Sequence, residues 1–265
     1  MTAKMAEQPI LSIKNLKTYF YLVERVVKAV DGISLDVYKA GITAIVGGSG
    51  SGKSVMSLSI FNLIDDPGKI IDGEIWLNGV NIRNLKEKQL LKIRGKEISM
   101  IFQEPTSSMN PVLKVKKHLF EVIHTQNKAI RNKEALSMFR DVLSRVGLKS
   151  TEQILESYPF ELSGGMCQRV MVAMGLLANS RVLIADEPTS SLDLTAQAAI
   201  LEELVRLKNE GMAIVLITHD LGVVAQTADD VYVIKDGKMV ESGTVYDVFE
   251  SPKHEYTKSL LNSIF

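Results

Sequence analysis

The sequence predicts an α/β fold: a buried, mostly parallel sheet that carries an antiparallel β part and an inserted helical part. Three observations predict it. The runs "ITAIVG" (42–47), "ISMIF" (98–102), "RVLIAD" (181–186) and "AIVLITHD" (213–220) are almost continuously apolar, as strands covered on both faces are. Other segments alternate instead: in "GISLDV", Ile33, Leu35 and Val37 take one face while Ser34 and Asp36 take the other, the pattern of a half-exposed antiparallel strand. Between about 104 and 178 strand signals vanish and apolar residues recur at helical spacing.

Taken in order, "EIWLNGVNI" (74–82) carries Asn78-Gly79, a pair at ease with positive φ and the strongest short hairpin signal. The helical insertion is read from "KVKKHLFEVIHTQNK", "KEALSMFRDVLSRVG" and "QRVMVAMGLLAN", whose apolar positions fall three and four apart. After Gly243 a last helical stretch, "TVYDVFESPKHEYTKSLLNSIF", closes the chain. The expected domains are a core of residues 8–103 and 179–243 that includes the antiparallel part, a helical subdomain at 104–178, and a helical tail at 244–265.

Composition excludes several classes. With 31 Lys plus Arg against 31 Asp plus Glu over 265 residues, no net basic field draws a polyanion, so nucleic acid is not an expected partner. Cys167 is the lone cysteine, which rules out an intrachain disulfide framework and any four-cysteine metal or iron–sulfur site from this chain alone. No apolar run approaches the roughly 20 residues that span a bilayer. The start "MTAKMAEQPI" shows no signal-peptide core. A cytosolic chain that meets membranes only through partners is expected.

Chemistry concentrates in short motifs. "GGSGSGKS" matches G-x-x-x-x-G-K-[ST], with Gly47, Gly52, Lys53 and Ser54 fixed and Gly48, Ser49, Gly50 and Ser51 between them. It lies between a buried strand and a helix expected to open at Lys53-Ser54-Val55. Small residues let successive N–H groups curl around phosphate oxygens, and the helix dipole adds partial positive charge. Lys53 is expected on the β and γ phosphates and the Ser54 hydroxyl on Mg²⁺. In "VLIADEP", Asp186 ends a strand where its carboxylate can join the Mg²⁺ shell, and Glu187 follows as the group to orient or deprotonate an attacking water. A second glycine turn, "LSGGMCQRV" (162–170), has a serine and two glycines at a helix start but no lysine.

The order of the phosphate loop, "LSGGM", "LIADEP", "SSLD" (190–193) and "LITHD" (216–220) resembles an ABC transporter ATP-binding subunit over essentially the whole chain. "KTYF", "KIRG", "MIFQEP" and "HDLGVV" look like the oligopeptide, dipeptide and nickel importer branch. The resemblance implies a P-loop NTPase core of the ABC ATPase fold, ATP and Mg²⁺ as cofactors, and hydrolysis of ATP to ADP and phosphate coupled to transport. It also implies a head-to-tail dimer with a second, related but non-identical ATPase, in which each ATP lies between one phosphate loop and the other subunit's signature turn. The lysine-free turn suits that place, since Ser163, Gly164 and Gly165 can donate to a γ-phosphate already neutralised by the partner's lysine and Mg²⁺.

Further roles carry over residue by residue. Gln103 matches the Q-loop glutamine that meets Mg²⁺ and the attacking water, and His219 the switch histidine at the γ-phosphate. Asp193 resembles the D-loop aspartate that crosses the dimer interface. Phe20 aligns with the aromatic stacked on adenine, with Tyr19 and Tyr21 as rivals. Met166 follows the signature glycines where glutamine is most familiar, as is usual in peptide-importer subunits. Gly48 replaces a usual glutamate, a substitution seen in nickel-importer subunits, and the tail "SPKHEYTKSLLNSI" keeps His254, Tyr256 and Thr257 of an "HPYT" region. A chain ending at Phe265 suits the shorter nickel or metal-chelate members.

The expected function is the motor of an importer for peptides, with a nickel or metal-chelate importer as the alternative and a soluble, non-transport ABC ATPase as the reading from another class. The expected partners are two transmembrane permeases, the second ATPase and an extracytoplasmic solute-binding protein. The expected site is the cytoplasmic face of the plasma membrane.

Overall fold

The computed structural model describes residues 8–262; the reading of residues 1–7 as lacking a signal peptide, and the last three residues of the predicted tail, lie outside the described residues. The chain runs β1 (Leu11–Tyr21), β2 (Val26–Val37), β3 (Ile42–Val46), α1 (Lys53–Ile60), β4 (Gly68–Leu77), β5 (Val80–Asn81) and α2 (Glu87–Ile93). It continues through β6 (Ile98–Ile101), α3 (Pro105–Ser108), α4 (Val115–Gln126), α5 (Asn132–Arg145), α6 (Thr151–Glu156), α7 (Gly164–Ala178) and β7 (Val182–Asp186). The last elements are α8 (Leu194–Asn209), β8 (Ala213–Ile217), α9 (Leu221–Thr227), β9 (Asp230–Lys235), β10 (Lys238–Thr244), α10 (Val245–Glu250) and α11 (Glu255–Asn262). Two compact units result, Lys92–Leu207 and the rest of the chain.

In the unit outside 92–207, β2-β1-β4-β5 form the antiparallel sheet. Its register sets Leu11 opposite Val37 and Ile13 opposite Leu35, so the alternation in the sequence buries Ile33, Leu35 and Val37 on one face. Asn78 and Gly79 turn β4 into β5 with φ 48° and 78°, positive at both central positions as the tightest hairpin turns require. The second sheet of this unit follows the order β10-β9-β3-β8, with β10 antiparallel to β9. β3 pairs parallel with β8 and with β9, and all five of its residues are buried, which is why its sequence shows no alternation. A buried hydrogen bond of 2.8 Å between the hydroxyls of Thr18 and Ser59 ties β1 to α1.

Within Lys92–Leu207, β6 and β7 pair parallel, Ile98 beside Val182 and Ile101 beside Ala185. The helices gather around α7. Phe139 of α5 is fully buried and meets Phe120 of α4 edge-on, with centroids 4.8 Å apart; burying a ring of this size is worth about 1.5–3 kcal/mol. The predicted tail helix is two helices, because Pro252 falls between α10 and α11 and cannot supply the N–H a continuous helix needs. Thr244 and Asp247 start the first of them with a reciprocal capping box.

Candidate functional site

The glycine and serine run after β3 forms a loop wrapped around its own lysine. Lys53 is only 8% exposed, and its ammonium donates to the carbonyls of Gly47 (2.8 Å) and Gly48 (3.0 Å) and to the Ser51 hydroxyl (3.4 Å). Behind the loop stands the β9–β10 turn: Gly237 donates its N–H to the Ser51 carbonyl at 3.0 Å and accepts from Asp31 at 2.7 Å. Gly52 has φ 104°, and a β-carbon there would sit 2.0 Å from the Ala29 carbonyl oxygen; one at Gly47 would sit 2.2 Å from that of Ile234. Only glycine fits either contact.

α1 begins at Lys53, as the sequence predicts, with no side-chain cap and no acid in its first turn. As at any helix start its first amides point outward along the axis, and no carboxylate in the first turn offsets the positive end of its dipole. Oxyanions are the natural partners of such an end.

Other predicted residues of this unit surround the same strand ends or lie on β1. Thr218 donates its N–H to the Ile45 carbonyl at 3.3 Å, so β8 and β3 leave the sheet side by side, with exposed His219 following the first and the phosphate loop the second. Asp220 then caps α9, accepting from Gly222 and Val223. Phe20 is half-buried against Gly68, where a β-carbon would fall 2.7 Å from its ring. Tyr19 is engaged elsewhere: its hydroxyl donates to Asp31 at 2.6 Å, which pushes its pKa up to about 12. Tyr21 is 46% exposed.

The remaining predicted residues belong to Lys92–Leu207. Gln103 is exposed in the short loop after β6. Ser163 caps α7, its hydroxyl accepting from Met166 N–H at 3.3 Å, while Gly164 meets no atom within 4 Å of a β-carbon position. Asp186 ends β7 as a carboxylate only 1% exposed. Glu187 follows at 7% exposure with φ 51°, a left-handed conformation that costs a non-glycine residue about 1–3 kcal/mol and clusters at functional positions. Asp193 caps α8, accepting from Ala196 N–H at 2.9 Å, and this bond first, with Arg169 nearby, holds its carboxyl below the usual range. Cys167 is fully buried, its thiol donating to the Pro159 carbonyl at 3.3 Å, and burial pushes its pKa up; it is the inert helix residue the sequence suggests.

Two positioning side chains escape sequence reasoning although they lie inside the quoted signature stretch. Fully buried Gln168 donates its amide to the carbonyls of Glu187 (3.3 Å) and Pro188 (3.1 Å), so the signature helix holds the strained turn that presents Glu187. Arg169 donates to the Gly165 carbonyl at 3.3 Å and reaches the Asp193 carboxylate at 3.9 Å. Their only signal is their place one turn after the glycines. Replacing Gln168 by Leu leaves both carbonyls without this donor, at about 1–3 kcal/mol of stability, and lets Glu187 drift. Denaturant titration should show that loss, and steady-state hydrolysis should show a lower kcat with an unchanged KM for ATP.

Known proteins resemble this chain in both sequence and fold. A family model described as "ABC transporter" matches residues 30–190. The oligopeptide transport ATP-binding protein AppD of Bacillus subtilis is 47% identical over 257 residues, covering 96% of this chain and 78% of that protein. The dipeptide transport ATP-binding protein DppD of Escherichia coli is 41% identical over 259 residues, again covering 96% and 78%. Among solved structures, the dimeric post-hydrolysis state of an ATP-binding cassette bound to ADP and Pi matches with a TM-score of 0.81 at 26% identity, covering 89% of this chain and 98% of that one. The α/β fold expected from the sequence is that of these cassettes, and the chain belongs to the ABC transporter family as an ATP-binding subunit that hydrolyses ATP.

Proposed function

We propose that this chain is the motor of an importer that takes up peptides. The observation that carries the reading is identity of 41–47% across at least 96% of the chain to proteins named for oligopeptide and dipeptide transport. Those names set peptides ahead of nickel or a metal chelate.

In this reading Gly47–Val55 hold the phosphates of ATP, Lys53 neutralises the β and γ groups, and Phe20 stacks on adenine, whose π face needs little directional readout. The side-chain oxygens of Ser54, Asp186 and Gln103 are each of the hard kind that suits Mg²⁺, and such an ion keeps waters and phosphate oxygens as its other ligands. Bound there, Mg²⁺ would neutralise charge that develops on the phosphates.

Glu187 accepts a proton from the attacking water, and His219 steadies the γ-phosphate. Ser163, Gly164, Gly165 and Met166, with Asp193 beside them, serve the ATP of a second, related ATPase in a head-to-tail pair. Residues 104–178, reached through Gln103, pass the resulting movement to two permeases fed by a solute-binding protein. Among the described residues no helix is long and apolar enough to cross a membrane; in this reading the subunit docks on permeases at the cytoplasmic face.

The test is purification of the tagged chain from its native membranes in mild detergent, with every co-purifying protein identified by mass spectrometry. Two permeases, a second ATPase and a peptide-binding protein are expected. A nickel-binding protein in that place would overturn the substrate, and ribosomal or DNA-repair partners without permeases would overturn transport altogether.

A further inference from the structure

The tail has no part in the roles above, yet it reaches the phosphate loop. The Tyr256 hydroxyl, on the second residue of α11, accepts a hydrogen bond of 2.8 Å from the Gly48 N–H, 208 residues away in sequence. Its carrier segment is pinned. The Glu241 carboxylate on β10 accepts from the backbone N–H groups of Lys253 (2.7 Å) and His254 (3.0 Å), and His254 Nδ1 accepts from the Tyr256 N–H at 3.1 Å. On the ring itself, the Lys235 ammonium at the end of β9 lies 4.9 Å from the centroid, a cation–π contact.

Gly48 is held from its other side as well. Its carbonyl accepts from the Lys53 ammonium at 3.0 Å and from the Ser51 N–H at 3.2 Å, and the preceding carbonyl, Gly47, accepts from Lys53 at 2.8 Å. A phosphate competes for that ammonium. When Lys53 turns to it, the Gly47 and Gly48 carbonyls share their donor with the ligand, whereas the Gly48 N–H keeps its acceptor. The peptide plane between Gly47 and Gly48 thus has one fixed point during the exchange.

We propose that Tyr256 is a positioning residue for ATP: its hydroxyl fixes the Gly47–Gly48 peptide and keeps the loop in its phosphate-ready shape while Lys53 changes partners. The proposal rests on the phosphate loop binding ATP. It also couples the two positions directly, because a β-carbon at Gly48 would sit 3.1 Å from the Tyr256 hydroxyl and must push it aside. Here the glycine and the tyrosine fit as a pair.

Calorimetric titration of ATP into the purified full-length chain tests this in the parent, Tyr256→Phe, Gly48→Ala and the double variant. Tyr256→Phe should weaken ATP by about three- to tenfold, the range for one lost neutral hydrogen bond, and in the assembled transporter raise KM while leaving kcat unchanged. Gly48→Ala should weaken ATP in the parent but add nothing in the Tyr256→Phe background. Amide exchange needs no variant: the Gly48 N–H should be protected both without nucleotide and with ATP. Unchanged ATP affinity of Tyr256→Phe, strictly additive effects in the double variant, a fall in kcat without a rise in KM, or an unprotected Gly48 amide would each overturn the tether. A parent chain that itself binds no ATP would overturn the phosphate-loop reading and the tether with it.

Discussion

Glu187→Gln is expected to bind ATP as tightly as the parent and to lose turnover by about 10²–10⁴-fold, the usual contribution of a positioned proton acceptor. The geometry makes the substitution a clean one. Glu187 sits one residue beyond β7, only 7% exposed, in a left-handed conformation. Its carbonyl is gripped by the Gln168 amide and, at 3.2 Å, by the Ser190 hydroxyl. None of those contacts involves the carboxylate that the substitution changes. Glutamine preserves size and hydrogen-bonding reach but cannot accept a proton from water. Equilibrium ATP binding together with phosphate release in the purified complex checks both halves; undiminished release would remove Glu187 from the reaction.

The second large effect is expected at Gly52. Alanine there must tolerate φ 104° and place its methyl 2.0 Å from the Ala29 carbonyl oxygen, about half the ordinary carbon–oxygen separation. Both the loop and β2 are backbone at this point, so no side chain can swing away. Either Gly52 abandons its conformation or the loop lifts from the strand, and in both cases the first amides of α1 are re-aimed. A displacement on the order of 1 Å can cost about 10²-fold in rate where groups must be aligned, so turnover should fall at least that far and ATP affinity should fall with it. Because the damage is local, far-ultraviolet circular dichroism should remain that of the parent. Parent-like ATP affinity in Gly52→Ala would show that the loop adapts and that its observed shape is not required.

What the sequence allowed a reader to see depended on how local the cause was. β3, β7 and β8 announce themselves because strands covered on both faces need apolar residues at every position, and Asn78-Gly79 announces the hairpin because so few residue pairs accept its φ values. The phosphate loop is similarly local: strand, glycines, lysine and helix are adjacent in the chain. Gln168, Arg169 and Tyr256 gave no such signal. Gln168 and Tyr256 act on backbone atoms 19 and 208 residues away, Arg169 besides its own helix reaches the Gly147 carbonyl 22 residues away, and a hydrogen bond to a carbonyl or an N–H imposes no pattern on the partner's side chain. The left-handed turn at Glu187 was hidden for a related reason, since glutamate is not the residue that local preference would choose for it. The break in the tail was visible in principle as Pro252, but the helical spacing on either side obscured it.

The burial of Cys167 has a practical reach. A chain whose one thiol is fully enclosed, bonded to the Pro159 carbonyl and held in its protonated form by desolvation presents almost no thiolate to electrophilic reagents. The natural sequence therefore serves as its own unreactive background for fluorophore or spin-label attachment. A cysteine placed at fully exposed Val23, at the tip between β1 and β2, would take up a maleimide alone, giving a single reporter on the strand pair that bears Phe20.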